Sequence, residues 1–592
     1  MDAGFERAAS RRALLWLIAL KIVLVVLVFD PRGSVAFDLP KSLASRALEW
    51  AIVAVLVFAL VMYGRGIVPR TRLHAFVAAV VLISVAAALF AAEPYVAIFG
   101  EQDRYLGLTF LADMVVLYIA VAVAVRDLRD GVMLLGAVVL AGTVAGGYAI
   151  VQVLGADPFA WAADPRSRPF ATFGNPDTLG HFISVLFGVA FGALIGASGP
   201  TRRLIAGAGM AAALTVAAFV ATRGTLVGIA GALLGAAIIV RPGRRAALAG
   251  LAAAVAIAGV LLMTPLGQRA IATVSGGAPD RLAIYGIAAR ATFARPLLGW
   301  GPDNFRAAFV THRTVESLAI LGSGPETSAH DWVLDAAATN GLLGLAALIV
   351  LVAVGTTELI ALARTTPVIG LPLAIGWSAY WANALVDVGS VSLGWYPWLA
   401  LGVAAALRGT RRDAVARRVP PWLGPAIAIA AMVGMATGAR AFIANDEAWS
   451  SADALHAGDA EAALTFADRA AARDGGRADH WNKLGLAFEA ERRWTNAAEA
   501  YRAAASRERY EPVYWVNLGR ALARTGAAAQ DDAIGAATEA TAVDPSSPIG
   551  HSALAEIAVT FGRCDLARAE AALTARLEAG HDDLVARAAA CR

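Results

Sequence analysis

Cysteine is nearly absent: Cys564 and Cys591 stand alone in a chain of 592 residues. Two thiols exclude any cysteine-based metal cluster and allow at most one disulfide, which would need an oxidising compartment. Charge is scarce as well, at 16% of residues against about 25% in soluble domains, while 58% are hydrophobic. That balance excludes an ordinary soluble protein. Long blocks of like charge are missing too. The arginines lie in short clusters between apolar runs, so the net charge of +4 marks loops rather than a nucleic-acid surface, and no nucleic-acid partner is expected. Finally, no A-x-A-like cleavage site follows the first apolar run. Arg7, Arg11 and Arg12 precede residues 13–29, which lead into Asp30-Pro31, so this run reads as a retained first helix rather than a signal peptide.

What is present is apolar sequence in helix-length blocks. A hydrocarbon core of about 30 Å takes about 20 residues of helix. On that measure spans are expected near 13–29, 47–63, 73–92, 106–125, 131–154, 178–198, 204–221, 225–240, 246–264, 341–363, 367–388, 393–408 and 421–439. These thirteen make residues 1–445 a polytopic membrane domain; charge rises after Asn445, setting off a second domain at 446–592. Alternate loops carry Arg65, Arg70 and Arg72, then Arg126 and Arg129, Arg202 and Arg203, Arg241, Arg244 and Arg245, Arg364, and finally Arg408, Arg411, Arg412, Arg417 and Arg418. The positive-inside rule makes those loops and the N-terminus cytoplasmic, and the odd span count then puts the C-terminal domain outside.

Within 446–592, Trp481-Asn482-Lys483-Leu484-Gly485 recurs 34 residues later as Trp515-Val516-Asn517-Leu518-Gly519, with Pro512 and Pro545 closing successive units. The period resembles tetratricopeptide repeats, and three or four units are expected. Each unit is a helix pair that cannot bury its apolar face alone, so neighbours stack into an α-solenoid. Such a stack is a surface for an envelope-protein partner or a spacer against other envelope components; it names an architecture, not an activity.

Polar residues are costly in a membrane domain unless they bind or catalyse. Here they gather in the second, arginine-poor set of loops: Phe37-Asp38-Leu39-Pro40-Lys41, Gly100-Glu101-Gln102-Asp103-Arg104, Thr172-Phe173-Gly174-Asn175-Pro176-Asp177, Thr222-Arg223-Gly224, and a long loop at about 265–340. The long loop holds Arg281, which opens an amphipathic helix. It continues through Arg295-Pro296-Leu297-Leu298-Gly299-Trp300-Gly301-Pro302-Asp303-Asn304-Phe305 and ends on Ala329-His330-Asp331-Trp332. Gly299, Gly301 and Pro302 shape a turn; no strand or P-loop lysine accompanies them. Taken singly, each residue has a plain reading. Arg223 snorkels to head groups, Arg281 sits on a solvated helix face, and a loop histidine is a surface residue. His181 and His312 are structural, and Asp387 pairs with a nearby arginine.

In order, spacing and side of the membrane, these motifs resemble the O-antigen ligase family, whose members share a TRG- or SRG-type arginine, an R-P-x-x-G-x-G-x-x-x-F loop and a loop histidine. The resemblance covers roughly residues 35 to 400. It implies an all-α protein of the bacterial inner membrane: a GT-C-like bundle of about 12 to 13 transmembrane helices, followed by the repeat solenoid. It also implies a glycosyltransferase without metal or cofactor. Such an enzyme moves a glycan from an undecaprenyl-pyrophosphate-linked donor to a glycan, lipid or protein acceptor, on the periplasmic or outer face, in cell-surface polysaccharide biosynthesis. On this resemblance Arg223 and Arg281 bind the donor, since planar guanidinium forks suit a departing pyrophosphate. His330 takes the acceptor proton, and Arg104 and Lys41 contact phosphate or glycan. Asn175 shapes its loop. The chain departs from the pattern at His330-Asp331, where the family has His-Asn, so whatever that asparagine positions is in doubt.

A polysaccharide polymerase and a protein O-oligosaccharyltransferase fit the same motifs. A transporter of lipid-linked saccharide would instead place ionisable residues at midplane on broken helices, and Lys21 is the main residue of that kind. An inactive membrane-anchored scaffold would lose all function without residues 446–592, whereas a transferase would keep some chemistry.

Overall fold

The computed structural model describes residues 9–197, 199–241, 243, 259, 263, 267, 279–411, 420 and 422–592. Among them the regular structure is helical, apart from an isolated β-bridge between Arg70 and Thr410. The bundle is built from α1 (Ala9–Leu27), α2 (Asp38–Tyr63), α3 (Leu73–Leu89), the short α4 (Pro94–Phe99), α5 (Leu108–Ala124), α6 (Leu128–Val153), α7 (Pro176–Gly196), α8 (Pro200–Val220) and α9 (Arg223–Val240). Helices α10 (Pro279–Ala294), α11 (Phe305–His312) and α12 (Val315–Leu321) fill the long loop. The bundle resumes with α13 (Trp332–Thr365), α14 (Pro367–Asn383), α15 (Tyr396–Arg408) and α16 (Leu423–His456). Every expected span falls on one of these helices except 246–264, which apart from residues 259 and 263 lies outside the described residues.

By length and composition, seven described helices can cross a membrane: α2, α6, α7, α8, α9, α13 and the Gly424–His456 stretch of α16. Helices α3 and α5 are apolar but shorter. The expected span at 393–408 is corrected by α15, whose 13 residues reach only about 20 Å at 1.5 Å per residue. Residues 384–395 ahead of it are not helical. Such backbone is tolerated at membrane depth only where protein or a cavity covers it, and Val388, Gly389 and Ser390 do line a cavity.

Helix α14 runs antiparallel to α7 at the centre of the bundle. A Cβ on Gly192 would stand 2.6 Å from the Leu371 carbonyl carbon, so this approach requires glycine. Charges inside the bundle pair with one another. Lys21 of α1 meets Glu49 of α2 and Asp113 of α5, each at 2.5 Å, and Ser45 hydroxyl donates to Asp113. The Lys21 expected as a midplane exception is thus a cross-tie between three helices, satisfied in the way buried charge has to be.

Arginines gather at one end of the bundle. Arg11 bonds Asp130 at 2.6 Å, Arg72 and Arg408 share Glu358, and Arg411 donates to the Ala122 and Val125 carbonyls. The other end carries the long loop and the repeats. There α16 runs on without a break into the solenoid, where its last turns pair with Ala460–Arg473. The pairs Ala478–Ala490 with Trp494–Arg507, Pro512–Thr525 with Gln530–Val543, and Pro548–Thr560 with Cys564–Leu577 follow, closed by Asp582–Ala589. The repeated tryptophans do the same job: Trp481 Nε1 donates to the Gly475 carbonyl at 2.9 Å and Trp515 Nε1 to that of Arg509 at 2.8 Å. Gly485 leaves room for the Tyr501 ring, which a Cβ would approach to 2.4 Å.

The two cysteines form a disulfide that staples the last helix to the preceding pair, across a sequence separation of 27. Closing a loop of that size contributes roughly 3 kcal/mol. Reduction is therefore expected to speed amide exchange in Asp582–Ala589 and Cys564–Leu577 while leaving α7 and α14 unchanged; hydrogen-exchange mass spectrometry reads both.

Candidate active site

The cavity that brings together two of the five sequence candidates takes its wall from five stretches of chain and encloses about 310 Å³. Asp38 opens α2, Asp103 and Arg104 lie between α4 and α5, and Asn175 caps α7. Glu326 and His330 precede α13, and Gly389 and Ser390 precede α15. A second cavity of about 270 Å³ shares Arg104, Ser328, Val388 and Gly389 and reaches His181, Asp335 and Asp387.

Local backbone chemistry presents the histidine. The Asp331 carboxylate caps α13, accepting the N–H groups of Val333 at 2.8 Å and Leu334 at 3.0 Å, and Trp332 N–H donates to the Ala384 carbonyl at 3.0 Å. This fixes the helix start immediately after His330. The histidine itself sits at φ 54, a left-handed conformation that a non-glycine residue holds only when its surroundings impose it. Its N–H donates to Ser328 Oγ at 3.1 Å, and its imidazole is 21% exposed. Nε2 stands 3.3 Å from Glu326 Oε2. When Nε2–H donates to that carboxylate, Nδ1 is left as the proton acceptor. The carboxylate that orients the ring is therefore Glu326, while Asp331 is occupied with the helix cap.

The motif loop is held by backbone pairing to the α13 kink. Trp300 N–H donates to the Ala338 carbonyl at 2.9 Å, Gly301 N–H to that of Thr339 at 2.8 Å, and Leu342 N–H to that of Pro296 at 2.8 Å. Gly341 breaks the helix at φ 68, ψ −178, and a Cβ there would stand 2.2 Å from the Leu297 carbonyl oxygen. Arg104 ties this loop to the histidine segment. Its guanidinium lies 3.5 Å from Asp303 and 3.2 Å from Asp335 and donates to the Thr327 carbonyl. Asp303 in turn accepts the N–H groups of Glu101 at 2.8 Å and Leu106 at 3.0 Å. Burial pushes the Asp303 carboxyl up to about 6, against the pull of Arg104 and those N–H donors. Burial, and then the neighbouring Glu101 charge, also hold Asp103 above the usual carboxylate range.

The five sequence candidates thus separate. His330 and Arg104 share the cavity. Arg281 lies near it: Arg281, Arg168, His330 and Asp387 are all within electrostatic reach of Asp177. Arg223 starts α9 at the same end of the bundle, where Gly224 packs on Asn383; its side chain is exposed and forms no ion pair among the described residues. Lys41 is corrected. It is not in a loop facing the cavity but inside the first turn of α2, fully buried, with its ammonium donating to the Val26 and Thr172 carbonyls and lying 5.1 Å from the Phe173 ring. Pro40 reads as a loop residue, yet a first helical turn needs no N–H there. The carboxylates of Asp38, Asp103 and Glu326 were missed as site residues, because acids in separate loops have no diagnostic spacing. Asp387 faces not an arginine but His181, whose Nδ1 stands 3.5 Å from its Oδ2.

Residues 208–349, the stretch that holds Arg223, Arg281 and His330, match the family described as O-antigen ligase. Over this part the chain is similar to O-antigen ligases. The match supports a membrane glycosyltransferase of ligase or polymerase type. No curated protein matches the chain. Among solved structures, a thermophilic TPR protein from Thermus thermophilus matches at 20% identity over 28% of this chain and 93% of that one, with a TM-score of 0.23. The APC/C hetero-tetramer Cut9–Hcn1 matches at 12% identity over 82% of this chain and 77% of that one, also with a TM-score of 0.23. Scores that low carry no weight here; the repeat solenoid rests on its own helix pairs.

Arg104→Gln keeps the shape of this tie but leaves the buried Asp303 without its cation, a loss of about 3 to 5 kcal/mol. The variant is expected to melt several degrees lower in detergent and to exchange faster at 101–106 and 327–330, read by scanning fluorimetry and hydrogen exchange.

Proposed function

We propose that the chain transfers a glycan from an undecaprenyl-pyrophosphate-linked donor to an acceptor hydroxyl during cell-surface polysaccharide biosynthesis, with His330 as general base. The observation that carries this reading is the Glu326–His330 pair, which lies in the stretch that matches the O-antigen ligase family and lines a cavity. The acceptor oxygen attacks the anomeric carbon, the bond from that carbon to the pyrophosphate oxygen breaks, and undecaprenyl pyrophosphate leaves. The acceptor proton passes to His330 Nδ1, and Glu326 stabilises the imidazolium that forms.

Charge divides the site between two substrates. The cavity is rich in carboxylates, with Asp38, Asp103 and Glu326 around an Arg104 already neutralised by two aspartates. Carboxylates accept hydrogen bonds from sugar hydroxyls and repel phosphate, so this side is assigned to the acceptor glycan. Arg281 and Arg223, which no ion pair among the described residues neutralises, are assigned to the donor pyrophosphate. Arg104 serves as a positioning residue, and Lys41 is left to hold α2. The opposite, arginine-rich end supports an inner-membrane orientation with site and repeats outside the cytoplasm. The disulfide fits the same placement.

Deleting residues 446–592 no longer separates a scaffold from a transferase. The repeats pack on the catalytic loop: Arg306 bridges Glu101 and Glu511, and Arg313 bonds Asp544 at 2.7 Å. Point variants decide instead. In nanodiscs supplied with lipid-linked glycan and envelope acceptors, His330→Ala is expected to lower release of undecaprenyl pyrophosphate at least about 100-fold with donor binding kept. Glu326→Gln should cost roughly tenfold, the worth of one charge-assisted hydrogen bond. Wild type that moves donor across the bilayer without cleaving it sinks the transferase reading in favour of transport.

A further inference from the structure

On the far side of the 101–107 loop lies a separate cavity of about 950 Å³, between the start of α2, the middle of α16 and the first repeat helices. One loop serves both chambers: Asp103 and Arg104 line the candidate active site, while Gln102 and Tyr105 line this one. Its walls are apolar at Leu43, Trp50, Phe99, Phe442 and Ile443. Three guanidinium groups, of Arg46, Arg440 and Arg477, enter the same space. None of them has a carboxylate within ion-pair distance among the described residues. Arg46 donates to Thr109 Oγ1 at 2.7 Å, and Arg440 is exposed. Arg477, 5% exposed, donates to the Gly100 carbonyl at 2.9 Å and lies over the rings of Tyr95 and Tyr105. Arg473 also lines the cavity but is paired with Glu447, and among the described residues Asp474 is the one acid in the wall, accepting from Tyr95 hydroxyl.

A second observation points to a polar ligand. Asn445 Nδ2 and His480 Nδ1 are buried without a hydrogen-bond partner, on residues 2% and 3% exposed that both line this cavity. Of the two, Asn445 Nδ2 is a donor in any state, and an unpaired buried donor is rare because it forfeits its hydration. The apolar wall, meanwhile, is continuous with α2 and α16, two helices able to cross a membrane. A ligand with an anionic head and hydrocarbon chains satisfies both halves. We propose that this cavity binds an acidic membrane phospholipid, with its phosphodiester on Arg46, Arg440 and Arg477 and its chains along α2 and α16. A lipid seated there braces the loop that carries Arg104 and joins the first repeat to the bundle.

Native mass spectrometry of the full chain in mild detergent tests this, with phosphatidylglycerol or phosphatidylcholine added at equal concentration. Wild type is expected to retain one phosphatidylglycerol at about tenfold the occupancy of phosphatidylcholine, the worth of one charge-assisted contact. The double variant Arg46→Gln with Arg440→Gln should bring the two lipids level. Gly438→Phe, which fills the cavity without altering charge, should lower the retention of both. Equal retention of the two lipids by wild type overturns the proposal, as does a phosphatidylglycerol adduct unchanged in either variant. Displacement by chain-free glycerophosphoglycerol as readily as by phosphatidylglycerol overturns the lipid assignment in favour of a soluble anion.

Discussion

A guanidinium taken out of water must find partners, and Arg104 finds two carboxylates. Because Asp303 belongs to the motif loop and Asp335 to the first turns of α13, one cation fastens three segments that are otherwise far apart in sequence. Its bond to Thr327 draws in a fourth, the stretch of loop that ends on His330. Low dielectric makes this arrangement strong when complete and costly when any member is lost. The shape of the candidate active site therefore depends on an ion cluster centred on Arg104.

The repeats extend that dependence. The apolar core beneath α10 and α11 includes Ile284, Ile287, Phe305 and Phe309 from the long loop but also Val543 from the third repeat, with Tyr510 and Trp515 packed against it. Arg306 and Arg313 close the junction through Glu511 and Asp544. A loop of this length exposes too little surface to bury its own core, so the solenoid supplies the missing wall. In this protein the repeats are part of the candidate site's foundation, sharing one apolar core with the long loop.

Much of this was legible in the sequence, for identifiable reasons. Bilayer thickness imposes helix length, so spans such as α6 and α7 announce themselves, and a 34-residue period announces stacked helix pairs. His330 and Arg223 were singled out because short motifs keep their order along the chain. Other features had no local signature. Glu326 and Asp38 meet only through folding. Lys41 was misplaced because Pro40 mimics a loop. Tyr396–Arg408 was assigned a full span because apolar composition does not distinguish a helix surrounded by protein from one that faces lipid. Arg104 looked like a ligand contact because a sequence does not show which acids will neutralise an arginine.

The uninterrupted course of α16 from bundle to solenoid has a geometric corollary. A helix conveys phase as well as distance: each residue adds about 1.5 Å of height and about 100° of rotation. Between Leu423 and His456 the number of residues sets both how far the repeats stand from the bundle and which way their docking edge points. One residue more or fewer in that stretch would swing Glu511 and Asp544 about a quarter turn away from Arg306 and Arg313. The length of this helix is thus counted by the protein in whole residues, and its register is as much a part of the site as any side chain that lines it.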